Sequence, residues 1–129
     1  MRYCEVCRRA LILRMATYER DYILRAIRAA ALAVARLREQ LMGSGSAEEV
    51  VELAQQAQGE LFGPRWQILS ALDAASAAQL IGDERHLDAW TDLLKVEADA
   101  ERRLGNESRA TRLEQRAAEL RAAATHRAY

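Results

Sequence analysis

The chain has 129 residues, which is the length of one domain. Half of its residues are hydrophobic, 29% are charged, and the formal net charge is zero. Six glycines and one proline are too few for the many tight turns of an all-β chain. The same figures exclude collagen-like and disordered classes. Abundant Ala, Leu, Arg and Glu favour helices, so the composition predicts an all-α fold.

The zero net charge conceals a strong segregation of charge along the chain. Residues 1–38 hold nine basic residues and three acids, residues 39–101 hold three and 13, and residues 102–129 hold seven and three. We interpret this as basic first and last helices that flank acidic middle helices in one bundle. A basic surface that meets phosphates or anionic lipids is the alternative. The balanced total and the absence of a Lys/Arg run argue against a nucleic-acid partner.

No segment has the pattern of a membrane span or a secretory signal. The most apolar stretch, residues 23–37, contains Arg25, Arg28 and Arg36 and is shorter than the ~20 residues that cross a bilayer. The two cysteines are only three positions apart, unlike those of secreted disulfide scaffolds. We therefore expect a cytoplasmic location, with attachment to the membrane periphery as the alternative. Eighteen arginines beside one lysine are typical of a GC-rich bacterial genome.

Breaks in the sequence predict a single domain over residues 1–129, with about five helices in antiparallel hairpins, arranged as a bundle or tetratricopeptide-like. Residues 1–16 form an extension whose start is open, because Met15 is an alternative first residue. The first helix is predicted over residues 17–42. Residues 46–124 contain the helical hairpins, with helices predicted over residues 46–60, 64–81, 84–104 and 107–124.

Helix ends and inward faces follow from capping residues and from apolar spacing. Ser46 and Glu49 fit a capping box, Pro64 suits a first helical turn, and Gly82-Asp83 reads as a helix end followed by an N-cap. The residues predicted to face inward recur every three or four positions: Ile23, Ile27, Ala30, Val34, Leu37 and Leu41; Val50, Leu53, Ala54 and Ala57; Trp66, Leu69, Leu72, Ala75 and Leu80; Leu87, Trp90, Leu94 and Ala98; Ala110, Leu113, Ala117 and Leu120.

Two segments resemble known families. Residues 91–124 contain Leu94-x-x-x-Ala98, Gly105-x-x-x-x-Ala110 and Ala117, and they resemble a tetratricopeptide-type helix hairpin. They depart from that pattern at Glu101 and Glu114, where a large aromatic residue is usual.

The run Tyr18-Glu19-Arg20-Asp21-Tyr22-Ile23-Leu24-Arg25 resembles the amino end of an uncharacterised bacterial family of small helical proteins. That family combines a Tyr-x-x-Asp-Tyr-Ile-x-Arg start with a tetratricopeptide-like tail. The resemblance implies a fold and no chemistry.

Cys4-x-x-Cys7 is the candidate metal or redox motif. Two thiolates at this spacing supply half of a tetrahedral zinc site. His86 and His126 offer the only nitrogen ligands, and neither belongs to a second pair. We interpret the thiols as incidental. A metal ion or disulfide shared between molecules, and a redox dithiol, are the alternatives.

The remaining titratable pairs do not predict catalysis. Asp83-x-x-His86 has the spacing of a di-iron ligand pair but lacks a second half. The pairs Asp88/Asp92 and Glu97/Glu101 are interpreted as solvated acidic faces. The sequence contains no phosphate-binding loop and no Gly-x-Ser-x-Gly nucleophile motif. We therefore expect no catalytic activity and no cofactor.

The aromatic residues indicate where a partner binds. Trp66 and Trp90 fall at core spacing and are expected to be buried. Tyr18 and Tyr22 lie one turn apart on the first helix, beside Arg25 and Arg28, and aromatic and Arg clusters are favoured in interface cores. We expect a non-catalytic helical interaction module that docks a protein partner, or a second copy of itself, through the first helix.

Two alternatives to this function follow from the same sequence. The first is a peripheral membrane or membrane-complex subunit that uses the Arg-rich amphipathic helix. The second is a metal or redox role through Cys4 and Cys7.

Overall fold

The computed structural model describes the backbone of residues 5–127 and the side chains of residues 19–125, with those of Cys7, Arg9 and Arg14. Within these limits the chain is an all-α bundle without strands, as the composition predicted. The helices are α1 (Glu5–Met42), α2 (Ala47–Phe62), α3 (Trp66–Ala71), α4 (Ala74–Ile81), α5 (Glu84–Arg103) and α6 (Glu107–Arg127), with a 3₁₀ turn at Gly63–Arg65.

The central helix is α5, which packs against α1, α2, α4 and α6. Its inward stripe is buried as predicted: Leu87, Trp90, Leu94 and Ala98 are each at most 3% exposed. Helix α2 runs antiparallel to α1, and α6 runs antiparallel to α5. The faces that these helices turn toward one another consist mainly of Ala, Leu and Val, and these residues are buried.

Helix α1 packs along the bundle over its C-terminal half. Leu37 and Leu41 are buried, and Ile27 and Val34 are partly buried against the core. Arg103 of α5 donates a hydrogen bond to the carbonyl oxygen of Leu41. The helix has 38 residues, which corresponds to a length of about 57 Å, whereas α2 has 16 and spans about 24 Å.

The predicted helix over residues 64–81 is wrong: the structure divides it at Leu72 and Asp73. Leu72 is extended, with ψ 153°, and the Asp73 carboxylate accepts a hydrogen bond of 3.2 Å from the backbone N–H of Ser76. Asp73 is thus the N-cap of a new helix. The break shifts the helical phase, so that the predicted inward residues Ala75 and Leu80 are exposed. The residues that face the core in their place are Ala74, Ala77, Ala78 and Ile81.

The predicted start of the first helix at residue 17 is wrong, because α1 begins at Glu5 and includes much of the predicted extension. The remaining predicted boundaries are close to the observed ones. Ser46 caps α2 by accepting from the N–H of Glu49. Gly82 has φ 75°, which suits glycine, and Asp83 caps α5 by accepting from Arg85. Helix α2 extends two residues beyond its predicted end at residue 60 and stops at Phe62, before Gly63.

None of the described helices is long and apolar enough to cross a membrane.

Candidate interaction surface and interhelical cleft

The outward side of α1 carries a row of exposed residues at alternating spacings of three and four. Tyr22 is 49% exposed and Leu32 is 59% exposed, and Arg25, Ala29 and Arg36 are exposed with them. Residues at this spacing share one helix face. We call Tyr22, Arg25, Ala29, Leu32 and Arg36 the α1 row; it combines two large apolar side chains with two arginines.

The sequence-predicted partner residues fall in and beside this row. Tyr22 and Arg25 belong to it, and the Tyr22 hydroxyl lies near Gly63, at 3.4 Å from where a Cβ on that glycine would sit. Arg28 is exposed and lies beside the row, three residues after Arg25 and four before Leu32. The side chain of Tyr18 lies outside the described residues.

Helix α2 carries a second exposed row beside the first. Leu53, predicted to face inward, is 37% exposed, and Glu49, Gln56 and Glu60 share its face of the helix. These four residues form the α2 row. Leu53 is wrongly predicted because Val50 and Ala54 take the core side of α2, and both are 0% exposed.

A shallow groove of about 270 Å³ joins the two rows. Arg36 lies on its α1 side, and Glu60 lies on its α2 side. Between them the groove is lined by apolar and amide groups: Ala33, Leu37, Gln40, Leu53, Gln56 and Ala57. The two helices therefore present one continuous face with a basic edge and an acidic edge.

The candidate metal motif is only partly described. Cys7 is exposed on α1, and Cys4 and the side chain of His126 lie outside the described residues. His86 is 4% exposed. Among the described residues no three His, Cys, Asp or Glu side chains form a group that would hold a metal ion.

His86, near the start of α5, contacts the end of α2 through Leu61 and Phe62. Its Nε2 lies 3.0 Å from the carbonyl oxygen of Leu61, and its ring is 4.6 Å from that of Phe62, centroid to centroid. Burial lowers the pKa of His86 below its ordinary value, and the hydrogen bond to Leu61 opposes this effect. The ring is therefore neutral at neutral pH and joins α5 to the end of α2. Asp83, three residues earlier, caps α5.

The interpretation of Glu97 and Glu101 as a solvated acidic face is wrong. Glu97 is 4% exposed and Glu101 is 3% exposed. Glu101 accepts from the Asn106 amide at 3.2 Å and lies 3.4 Å from the Arg109 guanidinium. It thus ties α5 to the following turn and to α6, because a buried carboxylate requires such partners.

Glu97 belongs to a buried polar chain between α2 and α5. Gln58, 3% exposed, accepts a hydrogen bond of 3.1 Å from Trp90 Nε1. Its amide then donates to Glu97 Oε1 at 2.7 Å and to the carbonyl oxygen of Ala54 at 3.2 Å. The second carboxylate oxygen of Glu97 accepts from Gln55 at 3.2 Å.

This chain lines one side of a cleft of about 320 Å³ between α2, α3, α5 and α6. Trp90 is 1% exposed and Trp66 is partly exposed, so the prediction of two buried tryptophans is confirmed for Trp90 alone. Their rings meet edge to face with centroids 5.7 Å apart. Arg116 of α6 lies on the other side of the cleft, with its guanidinium 5.2 Å from the Trp90 ring centroid, and burial lowers its pKa.

Two features of the sequence point to this cleft, although the predicted inward faces do not include them. Gln58 occupies an inward position of α2, four residues after Ala54 and three before Leu61. Glu97 continues the inward stripe of α5 at seven residues after Trp90 and three after Leu94. A polar residue on an apolar stripe predicts a buried hydrogen-bond partner.

Comparisons with known proteins found no match: no family model, no curated protein and no solved structure matches this chain.

Proposed function

We propose that this protein is a non-catalytic interaction module that docks a second copy of itself through the face formed by α1 and α2. The single observation that supports the proposal is the agreement in spacing between the α1 row and the α2 row. A heterologous protein with an acidic helix of the same pattern is the other partner that the α1 row fits.

The charges of the two rows are opposite and equally spaced. Arg25 and Arg36 are 11 residues apart, and Glu49 and Glu60 are also 11 residues apart. Eleven residues are close to three helical turns, about 16 Å. Each pair therefore lies on one side of its helix, and each arginine of one copy can lie opposite a glutamate of the other.

The apolar residues fit the same antiparallel register. Leu32 follows Arg25 by seven residues and precedes Arg36 by four, and Leu53 follows Glu49 by four and precedes Glu60 by seven. Antiparallel pairing thus sets Arg25 opposite Glu60, Leu32 opposite Leu53, and Arg36 opposite Glu49.

A two-fold axis parallel to the helices produces this pairing. Such an axis places α1 of one copy opposite α2 of the other while keeping helix directions, so α1 faces an antiparallel helix. The interface is isologous, as in most dimers.

The alternatives receive less support from the geometry. A peripheral membrane helix needs a free apolar face, whereas Leu37 and Leu41 are buried in the bundle. The exposed position of Cys7 is the only feature of the described residues that supports a metal or redox role for Cys4 and Cys7.

Analytical ultracentrifugation of the purified full chain tests the proposal. We expect a concentration-dependent dimer. Arg25→Glu or Glu60→Arg alone should weaken it, because each sets like charges opposite each other, and the double variant should restore it. Arg20→Glu makes the same charge change at an exposed residue of α1 that lies about 140° around the helix from Arg25, and it is the matched control.

Three results would contradict the proposal. They are a monomer up to the solubility limit, a dimer that Arg25→Glu leaves unchanged, and a double variant that is no better than the single ones. Binding of the monomer to anionic vesicles, with strong salt dependence, would favour the membrane alternative in its place.

A further inference from the structure

The cleft between α2, α3, α5 and α6 has the size and the wall chemistry of a small-ligand site. Its volume of about 320 Å³ is within the range of about 300–1,000 Å³ that is typical of such sites. Trp66, Trp90, Leu94 and Leu113 supply apolar surface, and polar side chains from four helices converge on the same space. This cleft lies outside the α1–α2 face, so the inference does not depend on self-association.

Glu97 brings a buried carboxylate that has no cationic partner among the described residues. Its two oxygens accept hydrogen bonds from the neutral amides of Gln58 and Gln55. Among the described residues no Arg or Lys forms an ion pair with it within 4.0 Å. A carboxylate has about four lone-pair positions, and those two amides occupy two of them. A cationic donor in the cleft would therefore complete the environment of Glu97.

Arg116 brings the opposite charge to the same cleft. One guanidinium N–H group donates to the carbonyl oxygen of Leu69 at 3.1 Å, and the group is held over the Trp90 ring. In the described part of the chain no carboxylate lies within 4.0 Å of it. Guanidinium has five N–H donors, so several remain for an anionic ligand group, and the contacts with Leu69 and Trp90 fix its direction in advance.

The presence of both charges determines the class of ligand. A ligand that is only a cation is attracted by Glu97 and repelled by Arg116. A ligand that is only an anion is attracted by Arg116 and repelled by Glu97. A molecule with an ammonium group and a carboxylate satisfies both, and the tryptophan and leucine walls favour an apolar remainder.

We propose that the cleft binds an α-amino acid with an apolar side chain. Its ammonium group donates to Glu97, its carboxylate accepts from Arg116, and its side chain packs between Trp66 and Leu113.

Tryptophan fluorescence measures this binding directly, because both tryptophans of the chain line the cleft. The full-length protein is titrated with valine, leucine, isoleucine, methionine and phenylalanine. Leucine is then compared with isoamylamine, which lacks the carboxylate, and with 4-methylpentanoate, which lacks the ammonium group. We expect a saturable change in emission with at least one amino acid and at least about tenfold weaker binding of both leucine analogues, as loss of one charge-assisted contact implies.

Two charge variants test the assigned contacts. Arg116→Gln and Glu97→Gln should each weaken amino-acid binding at least about tenfold. Arg112→Gln, on the same helix and exposed, should leave it unchanged. Circular dichroism checks that each variant is folded. If Glu97→Gln does not fold, the comparison of Arg116→Gln with Arg112→Gln decides the matter alone.

Several results would overturn the proposal. They are no change in emission with any of the five amino acids, equal binding of isoamylamine and leucine, and equal binding by the wild type and a folded Arg116→Gln variant. Each would leave Glu97 and Gln58 with a purely structural role in joining α2 to α5.

Discussion

Gln58 hydrogen-bonds to Glu97 across the interface of α2 and α5, with 2.7 Å between Nε2 and Oε1. Its carbonyl oxygen also accepts from the indole N–H of Trp90. One side chain therefore satisfies a donor and an acceptor that are both buried. Because the two partners have opposite hydrogen-bonding needs, an amide suits this position and a hydrocarbon does not.

Replacing Gln58 should destabilise the fold. Gln58→Leu leaves the Trp90 N–H and one Glu97 oxygen without a partner, so we expect the free energy of unfolding to fall by about 2–4 kcal/mol. Urea denaturation followed by circular dichroism measures the change. Gln115→Leu is the control, because Gln115 is exposed and bonds only Glu119 on its own helix. An equal effect of both variants would contradict the assigned role.

The sequence predicted the helices better than it predicted the contacts between them. Apolar spacing identified the core side of α5 because Leu87, Trp90 and Leu94 recur at helical intervals. Spacing did not reveal that Glu97 is buried, since a carboxylate is usually solvated and its burial depends on Gln58 from another helix. The apolar spacing of one helix does not reveal which residues of another helix it contacts.

The break at Leu72 and Asp73 shows a second limit of the sequence pattern. Residues 64–81 contain no glycine, and the apolar spacing continues on both sides of Asp73, so the sequence predicts one helix. Asp73 and Ser76 together form a capping contact, which competes with helix continuation because the side chain offers the backbone another partner.

Removing this cap should weaken α4. Asp73→Ala eliminates the acceptor for the Ser76 N–H, and we expect a loss of about 1 kcal/mol in the free energy of unfolding. Hydrogen exchange of the amides in Ala74–Ile81 locates the effect, which should be concentrated in that segment. The control is Asp88→Ala, which changes an exposed aspartate within α5. Uniform exchange changes over the whole bundle would argue against a local cap.

A charge on the inner side of α1 should disrupt the bundle. Val34 packs against both hydrophobic clusters of the core, so Val34→Asp places a carboxylate where no cation compensates it. We expect the free energy of unfolding to fall by more than about 2 kcal/mol. Ala35→Asp introduces the same charge at the next position, which is exposed, and should change stability by less than about 0.5 kcal/mol. Similar effects of the two variants would show that α1 does not contribute this face to the core.

The cysteines should be dispensable for folding. Cys7 is exposed on α1, so its side chain does not fill the core. The double variant Cys4→Ser/Cys7→Ser should keep the helicity and the melting temperature of the wild type. The zinc content of the purified wild-type protein and of the double variant is also measured. One zinc ion per chain or per dimer in the wild type, lost in the double variant, would contradict this prediction and favour the metal role.

His86 should make stability depend on pH in a narrow window. Burial lowers the pKa of His86 in the folded protein, whereas the unfolded chain titrates near about 6.5. Above that pH the imidazole is neutral in both states and its contribution to stability is complete. As the pH falls below about 6.5, the unfolded state binds a proton that the folded state does not, so the free energy of unfolding decreases until the folded pKa is passed.

Urea denaturation at about pH 7.5 and about pH 5.5 measures this dependence. His86→Gln retains an amide N–H that can donate to the Leu61 carbonyl and does not titrate, so its stability should fall less between the two conditions than that of the wild type. The carboxylates of Asp73 and Glu114 do not obscure the comparison, because hydrogen bonds lower their pKa values and they titrate below this window. His126→Gln removes the other histidine and is the matched control. A pH dependence that His86→Gln retains and His126→Gln loses would place the titrating group at the end of α6 and would contradict the neutral, buried imidazole beside Phe62.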